Sequence, residues 1–98
     1  MGCVNLIRAR IIARGRVQGV FYRASVREIA LDMGISGYVM NQQDGTVLIV
    51  CECKTREELD SFISRLKMRE MHGPHVDSIE CTVEKAEKKE FTGFSIKY

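Results

Sequence analysis

The sequence predicts an α+β domain in which an antiparallel sheet carries two helices on one face. Several segments alternate apolar and polar residues with the period of a strand, and two others repeat apolar residues with the period of a helix. These segments follow one another in the order β-α-β-β-α-β plus a short terminal strand, which is typical of the ferredoxin-like split βαβ sandwich. Residues 1–98 suffice for one such domain, and we expect residues 1–5 to form a loose N-terminal tail.

Both predicted helices carry boundary signals as well as periodic apolar residues. Residues 22–33 have apolar side chains at helical spacing, and Gly34 stands where a C-terminal cap belongs. The second helix begins at a capping box made by Thr55 and Glu58, and we expect it to end before Gly73.

The strand predictions rest on alternation, on β-branched residues and on an Asp-Gly turn between the second and third strands. In the expected strand order the first strand lies between the third and the fourth. One face of the sheet then meets the helices and the other meets water. The five predicted strands are residues 6–14, 35–41, 46–53, 76–86 and 93–98.

Three arginines project from the outer face of the first strand and allow two interpretations. One is a basic binding patch. The other is a solvated sheet face, because glutamates on the neighbouring strands can pair with the arginines. The net charge of only +2 favours the solvated face and indicates no strong bias toward nucleic acid or a membrane. The residues concerned are Arg8, Arg10 and Arg14 with Glu52, Glu80 and Glu84.

The cysteines are expected to be free thiols in a reducing cytoplasm. Cys51, Cys53 and Cys81 lie on inward positions of predicted strands, which indicates small buried side chains. The C-x-C spacing lacks the two to four intervening residues of most zinc sites. His72 and His75 flank a Gly-Pro pair and are interpreted as loop residues. We expect no membrane span and no secretion signal, since no long apolar stretch occurs.

The segment GRVQGVFYR, residues 15–23, joins the first strand to the first helix and contains no acid, base or nucleophile. Gly15 and Gly19 allow the backbone to curl so that successive N–H groups point inward near a helix N-terminus. Arg23 follows in the first helical turn, and its planar fork can hold two oxygens of one anion. The pattern predicts a phosphate cradle; a glycine-rich connection with an exposed arginine is the alternative.

Two motifs in this chain resemble those of the acylphosphatase family. Residues 15–23 match the pattern G-x-V-Q-G-V-x-[FY]-R, and residues 37–47, GYVMNQQDGTV, match G-[FYW]-[AVC]-[KRQAM]-N-x-x-x-G-x-V. The likeness extends from about Arg10 to Tyr98, almost the whole chain.

The resemblance implies an enzyme that hydrolyses acyl phosphates to a carboxylate and inorganic phosphate, without metal or organic cofactor. It implies that Arg23 binds the phosphate and that Asn41 holds the attacking water. We expect the end of the second strand to reach the loop after the first strand through the neighbouring third strand. We expect the protein to be a monomer whose partners are small molecules alone. The backbone completing the cradle would be that of Val17, Gln18, Gly19, Val20, Phe21 and Tyr22.

A site without a titrating side chain suits this reaction. The leaving carboxylate has a conjugate acid with a pKa of about 4, so it departs without a proton. Fixed positive groups stabilise the charge on the phosphoryl oxygens in the transition state. The water needs to be aimed, and an amide side chain can both accept from it and donate to it.

Two binding functions are the alternatives to catalysis. An RNA-binding module of this topology carries aromatic residues on its third strand, and residues 46–53, TVLIVCEC, contain none. A non-catalytic module that binds phosphate or acyl phosphate stays open, although such a module has no use for an aimed water.

Overall fold

Five strands and two helices follow one another in the predicted order in the computed structural model, which describes residues 6–17, 22–67 and 75–97. Strands and helices lie close to their predicted bounds, and the first helix occupies the predicted residues 22–33. The elements are β1 (Leu6–Arg16), α1 (Tyr22–Met33), β2 (Ser36–Asn41), β3 (Val47–Cys53), α2 (Arg56–Leu66), β4 (His75–Ala86) and β5 (Phe94–Lys97).

The strands form one sheet in the order β4-β1-β3-β2-β5, so β1 lies between β3 and β4 as predicted. All neighbours pair antiparallel except β2 and β5, which pair parallel. The parallel pair arises because the connection of residues 87–93 reverses the chain after β4 and carries it to the opposite edge. The ferredoxin-like fold class is confirmed, with a mixed sheet in place of a wholly antiparallel one.

The core lies between the sheet and the two helices. Most inward residues of β1 and β3 and most of the apolar stripes of α1 and α2 are buried, as the periodicities predict, while Ile7, Met33 and Ile63 are partly buried at the margins. On the described residues, no helix is long and apolar enough to cross a bilayer. The largest side chains of this core are Tyr22, Phe62, Ile11, Ile35, Ile49, Leu59 and Leu66.

Both predicted helix-boundary signals are present in the structure. Gly34 has φ +68°, and the N–H of Ile35 donates to the carbonyl of Ala30 at 2.9 Å, which satisfies an end carbonyl of α1. At the start of α2 the N–H of Glu58 donates to Thr55 Oγ1 at 3.1 Å, while Glu58 Oε1 accepts from the N–H of Lys54 at 3.2 Å. These local bonds fix where each helix begins or ends.

The prediction of buried cysteines is confirmed for two residues and wrong for the third. Cys51 and Cys53 are buried free thiols, whereas Cys81 is an exposed free thiol. Cys81 does face the helical side of the sheet. It lies, however, on edge strand β4, while α1 contacts β2 and β5 and α2 contacts β3. Alternation predicts the face of a strand but not whether a helix covers it. Cys3 lies outside the described residues.

The predicted pairing of outer-face arginines with glutamates is confirmed for Arg8 and Arg14, and this face is less solvated than expected. Arg8 lies 2.8 Å from Glu52 and 3.7 Å from Glu84, and Arg14 lies 3.4 Å from Glu80. The three outward residues of β3 are nevertheless buried, and for Glu52 the connection of residues 87–93 provides the cover. Those residues are Leu48, Val50 and Glu52, exposed by 6%, 5% and 4%.

Gly37 allows β2 to approach β3 very closely. Its φ is +148°, and a Cβ built there would collide with the carbonyl oxygen of Val50 on β3. Its N–H donates to the carbonyl of Gly93 at 3.0 Å, just before β5 begins. A side chain at this position is excluded both by conformation and by space.

Candidate active site

The carboxyl ends of β1 and β2 lie at the same edge of the sheet. Both strands run antiparallel to β3, and Val47 of β3 pairs with Ala13 of β1 on one side and with Asn41 of β2 on the other. Neighbouring strands are about 4.8 Å apart, so the backbone of Asn41 is about 10 Å from that of Ala13. This register is the one expected if the end of β2 reaches the loop after β1 through β3.

The side chain of Asn41 faces the helices, and its amide oxygen is buried. Val39, two residues earlier on the same face, is fully buried in the core. Asn41 Oδ1 has no solvent contact and no hydrogen-bond donor within the described part of the chain. Buried acceptors without partners are rare in folded proteins. Asn41 therefore presents an acceptor that is ready to receive a hydrogen bond from a bound molecule.

The turn that follows Asn41 is held by hydrogen bonds of its own. Asp44 Oδ1 accepts from Thr46 Oγ1 at 2.6 Å and from the N–H of Thr46 at 3.0 Å. The N–H of Gln42 donates to the carbonyl of Thr46 at 2.9 Å. Sequence reasoning predicted the turn but missed Thr46, which is buried; an aspartate two residues before a threonine was the available signal.

The Asp44 carboxyl in this turn cannot serve as a general acid near neutral pH. The hydroxyl and the N–H of Thr46 hold the pKa of Asp44 below its usual value. It is therefore ionised and occupied as a double acceptor. This fits a site that expels its leaving group without proton donation.

The end of β1 turns at Gly15 as the chain enters the predicted cradle. Gly15 has φ +130°, and the register against β4 shifts between Arg14 and Gly15. The extra residue of this irregularity is Asp77 of β4, whereas the positive φ of Gly15 belongs to β1 itself. Val17 comes next and is buried, with 1% exposed. Of the predicted cradle the structure describes only Val17 and Tyr22; Gln18, Gly19, Val20 and Phe21 lie outside the described residues.

The two helices differ in the charge of their first turns. The first turn of α2 carries Glu57 and Glu58 behind the Thr55 cap, so its positive end is neutralised within the helix. The first turn of α1 has no acidic residue and carries Arg23. The positive end of the α1 dipole and a guanidinium thus lie together where the predicted cradle ends. An external anion would satisfy both.

Arg23 is half-buried and directed toward the last strand. Its Nη1 donates to the carbonyl of Lys97 at 3.4 Å, and it makes a further contact in addition. One turn later, Arg27 Nε donates to the carbonyl of Phe94 at 3.3 Å. Two arginines of α1 are thereby attached to the two ends of β5.

The Tyr22 side chain fixes the start of α1 to the end of α2. The ring is 1% exposed, and the hydroxyl donates to the carbonyl of Leu66 at 3.1 Å. Burial raises the pKa of Tyr22, so the hydroxyl stays a neutral donor. The residue whose backbone ends the predicted cradle is therefore held by its side chain.

Replacing Tyr22 with Phe should destabilise the protein while leaving its catalytic rate unchanged. The change leaves the Leu66 carbonyl without its buried donor, which costs about 1–3 kcal/mol of unfolding free energy. Urea unfolding of both proteins measures this loss, and turnover at a temperature where both are folded measures the rate. A large drop in turnover with full folding would mean that the hydroxyl itself takes part in the reaction.

Within the described ranges, no group of three His, Cys, Asp or Glu side chains could hold a metal ion. His72 lies outside those ranges, so its interpretation as a loop residue stays a prediction. The same interpretation is wrong for His75, whose backbone begins β4 and pairs with Arg16 of β1.

The comparison with known families decides how this edge of the sheet is interpreted. A model of the acylphosphatase family matches residues 9–96. The chain belongs to the acylphosphatase family. Membership makes it an enzyme that hydrolyses acyl phosphates, as the two sequence motifs imply. The match includes the predicted cradle, Asn41 and the close strand contact at Gly37.

Relatives across archaea and bacteria carry the same description. Acylphosphatase of Aeropyrum pernix is 43% identical over 97 residues, covering 96% of this chain and 91% of that protein. Acylphosphatase of Thermus thermophilus is 38% identical over 86 residues, covering 87% and 92%. Acylphosphatase of Pasteurella multocida is 33% identical over 95 residues, covering 95% and 100%. This acylphosphatase therefore resembles its relatives over nearly their full length.

Solved structures agree with the observed fold. The crystal structure of acylphosphatase from Bacillus subtilis superposes with a TM-score of 0.82 at 34% identity, covering 94% of this chain and 99% of that one. The acylphosphatase from Coxiella burnetii gives 0.74 at 26% identity, covering 95% and 94%. A similar fold also occurs within full-length HypF, where the match covers 12% of that chain with a TM-score of 0.72.

Proposed function

We propose that this acylphosphatase binds the phosphoryl group of its substrate with Arg23 and the backbone N–H groups of residues 17–22, and that Asn41 orients the attacking water. The observation that carries this proposal is the buried Oδ1 of Asn41, which has no hydrogen-bond donor among the described residues and lies at the sheet edge where β1 ends and α1 begins. An amide oxygen in that position accepts a hydrogen bond from a water, and the water can then direct a lone pair toward the phosphorus atom.

Binding follows from charge. The N-terminus of α1 lacks an acid of its own, and Arg23 adds a fork of donors, so a phosphoryl dianion is stabilised from two directions. The contact with the Lys97 carbonyl occupies Nη1 of Arg23. That bond orients the guanidinium before substrate arrives, which reduces the entropy lost on binding.

Hydrolysis then needs one bond to form and one to break. The water oxygen held by Asn41 attacks phosphorus, and the bond from phosphorus to the acyl oxygen breaks with its electron pair leaving on the carboxylate. The carboxylate needs no proton, because its conjugate acid has a pKa of about 4. The proton lost by the water goes to a phosphate oxygen or to solvent. Positive groups around the phosphoryl oxygens stabilise the charge throughout.

The absence of a proton donor in this scheme predicts strong discrimination between substrates. A sugar phosphate has an alkoxide leaving group that must be protonated, and a positioned general acid contributes about 10²–10⁴-fold to such a step. We expect kcat/KM for benzoyl phosphate to exceed that for a sugar phosphate by at least about a hundredfold. The measurement is loss of each substrate with pure protein.

An identically purified Arg23→Gln variant is the control for contaminating phosphatases, because a contaminant would leave its ester activity unchanged. Comparable rates on both substrates, both lost in the variant, would refute the proposed chemistry. Binding of inorganic phosphate without turnover of any acyl phosphate would favour the non-catalytic binding module instead.

The organisation that we propose around this site is a single-domain monomer in the cytoplasm, acting on small molecules and not on nucleic acid. The buried free thiols of Cys51 and Cys53 support a reducing compartment. The pairing of Arg8 and Arg14 with glutamates supports the view that the outer face is no nucleic-acid surface.

A further inference from the structure

Glu52 is a buried carboxylate that the proposed mechanism does not use. Its side chain is 1% exposed, although it projects from the outer face of β3, away from the helices. A buried charge is costly unless it is paired and hydrogen-bonded. The bonds that compensate this charge show what Glu52 holds.

Most of those bonds come from the connection of residues 87–93. Glu52 Oε2 accepts from the N–H of Glu90 at 3.0 Å, and Oε1 accepts from the N–H of Phe91 at 3.1 Å. Arg8 Nη2 donates to Oε2 at 2.8 Å and also to the carbonyl of Lys88 at 3.2 Å. One carboxylate and one guanidinium thus attach this connection to the centre of the sheet.

The Glu52 carboxyl is held in its charged form. Burial by itself would raise its pKa, but the N–H of Glu90, the guanidinium of Arg8 and the N–H of Phe91 outweigh burial, so the pKa lies below its usual value. The hydrogen bonds that Glu52 accepts from Arg8 and from residues 90 and 91 are therefore strengthened by its negative charge, which an amide side chain would lack.

The anchored connection leads directly into β5. The ring of Phe91 packs edge-on against Tyr38 of β2, with centroids 5.7 Å apart. From Phe94 onward β5 pairs with β2. The carbonyl of Lys97, near the end of β5, is the acceptor for Arg23 Nη1. Glu52 is thereby linked to the phosphate-binding arginine through one continuous segment of chain.

We propose that Glu52 is a positioning residue for phosphate binding: by anchoring residues 87–93 it fixes β5, and β5 holds the guanidinium of Arg23 in place. This inference rests on the proposed role of Arg23. Glu52 and Asn41 project from opposite faces of the sheet. Glu52 also lies at the far end of β3 from Val47, where its backbone is paired with Arg8 of β1 and Ser36 of β2. A direct effect on the substrate is therefore excluded by distance, and any effect must pass through the chain.

Glu52→Gln tests the proposal through the Kd for inorganic phosphate, measured from amide NMR shifts during titration. We expect the Kd to rise about three- to tenfold, the size of coupling common between residues of one network. The kcat for benzoyl phosphate should stay within about twofold, because Asn41 lies at the other end of β2 from Ser36, whose Oγ donates to Glu52 Oε1 at 3.4 Å. A purely structural role would lower the melting temperature and the folded fraction without changing the Kd of the folded protein.

The control variant is Asp32→Asn, which removes an exposed ion pair between the two helices, the 2.9 Å contact between Arg65 and Asp32. Its Kd should equal that of the unmodified protein. Arg8→Lys keeps the charge but loses the planar guanidinium whose Nη2 donates to both Glu52 and the Lys88 carbonyl, so it should raise the Kd less, in the same direction. This milder variant serves if Glu52→Gln does not fold.

A double-mutant cycle separates this inference from the proposed function. With Arg23→Gln already present, adding Glu52→Gln should change the phosphate Kd no further. An additive rise would show that Glu52 acts elsewhere and would overturn the inference. So would an unchanged Kd in folded Glu52→Gln while Arg23→Gln still weakens binding. If Arg23→Gln leaves the Kd unchanged, the proposed function fails and this inference fails with it.

Discussion

Replacing Arg23 with Gln should lower kcat/KM for benzoyl phosphate by about a thousandfold and should weaken inorganic phosphate binding as well. Removal of a transition-state arginine in other phosphoryl-transfer enzymes costs about 10³–10⁵ in rate. The substitution removes a charge and a bidentate donor from the one helix start that has no acid of its own. Initial rates over a range of substrate give kcat and KM, and phosphate titration gives the Kd.

The matched control is Arg56→Gln, which removes the same charge from α2. Arg56 is exposed, and in the described part of the chain its ion pair is with Asp60 of the same helix at 3.3 Å, so its loss should leave both quantities within about twofold. Arg23→Lys should recover part of the phosphate affinity but little of the rate, since an ammonium lacks the planar fork. If Arg23→Gln and Arg56→Gln behaved alike, Arg23 would have no special role.

Replacing Asn41 with Ala should lower kcat about a hundredfold while the phosphate Kd stays the same. The buried Oδ1 that we assign to the attacking water would be lost, whereas the groups around the phosphate would remain. Loss of one preorganised hydrogen-bonding group in an active site costs about 10²–10³ in kcat. Single-turnover kinetics with saturating enzyme isolates this step from binding.

Gln43→Ala is the control for Asn41→Ala. It removes an exposed amide two positions along the chain, in the same turn, and should leave kcat unchanged. An Asn41→Ala variant that lost phosphate binding and turnover in equal proportion would place Asn41 in the binding site and not at the water. Together the Arg23 and Asn41 variants separate holding the phosphoryl group from attacking it.

The features that the sequence predicted well are those set by neighbours along the chain. The bounds of α1 follow from apolar spacing within the helix and from Gly34, whose φ of +68° is a local property. The capping interaction of Thr55 with Glu58 needs only three residues of separation. Local conformational preference and local hydrogen bonds decide such features before any tertiary contact forms.

The features that the sequence failed to predict depend on distant segments. Cys81 has the predicted face but is exposed on edge strand β4, and Glu52 has an outward position but is buried under a connection about forty residues further along the chain. Alternation along a strand contains no information about which segment covers it. Both errors therefore come from tertiary cover, which only the folded chain defines.

The candidate site also contains a part that local sequence predicts and a part that it does not. Glycines, a helix start and Arg23 are close in sequence, and from them alone an anion cradle could be predicted. The role of Asn41 was predicted only from the resemblance to a family. Asn41 ends β2, whereas the predicted cradle follows β1, which lies two strands away across β3. Pairing across a sheet is not encoded in the spacing of any single segment.

The missing side chain at Gly37 has a consequence for the chemistry four residues downstream. Any larger residue there would force β2 away from β3, and Asn41, on the same short strand, would shift with it. A displacement of about 1 Å in a reacting group can reduce a rate about a hundredfold. Under the role that we propose for Asn41, a glycine with no chemistry of its own acts as a spacer that keeps the water at its working distance, and efforts to alter substrate choice should leave it untouched.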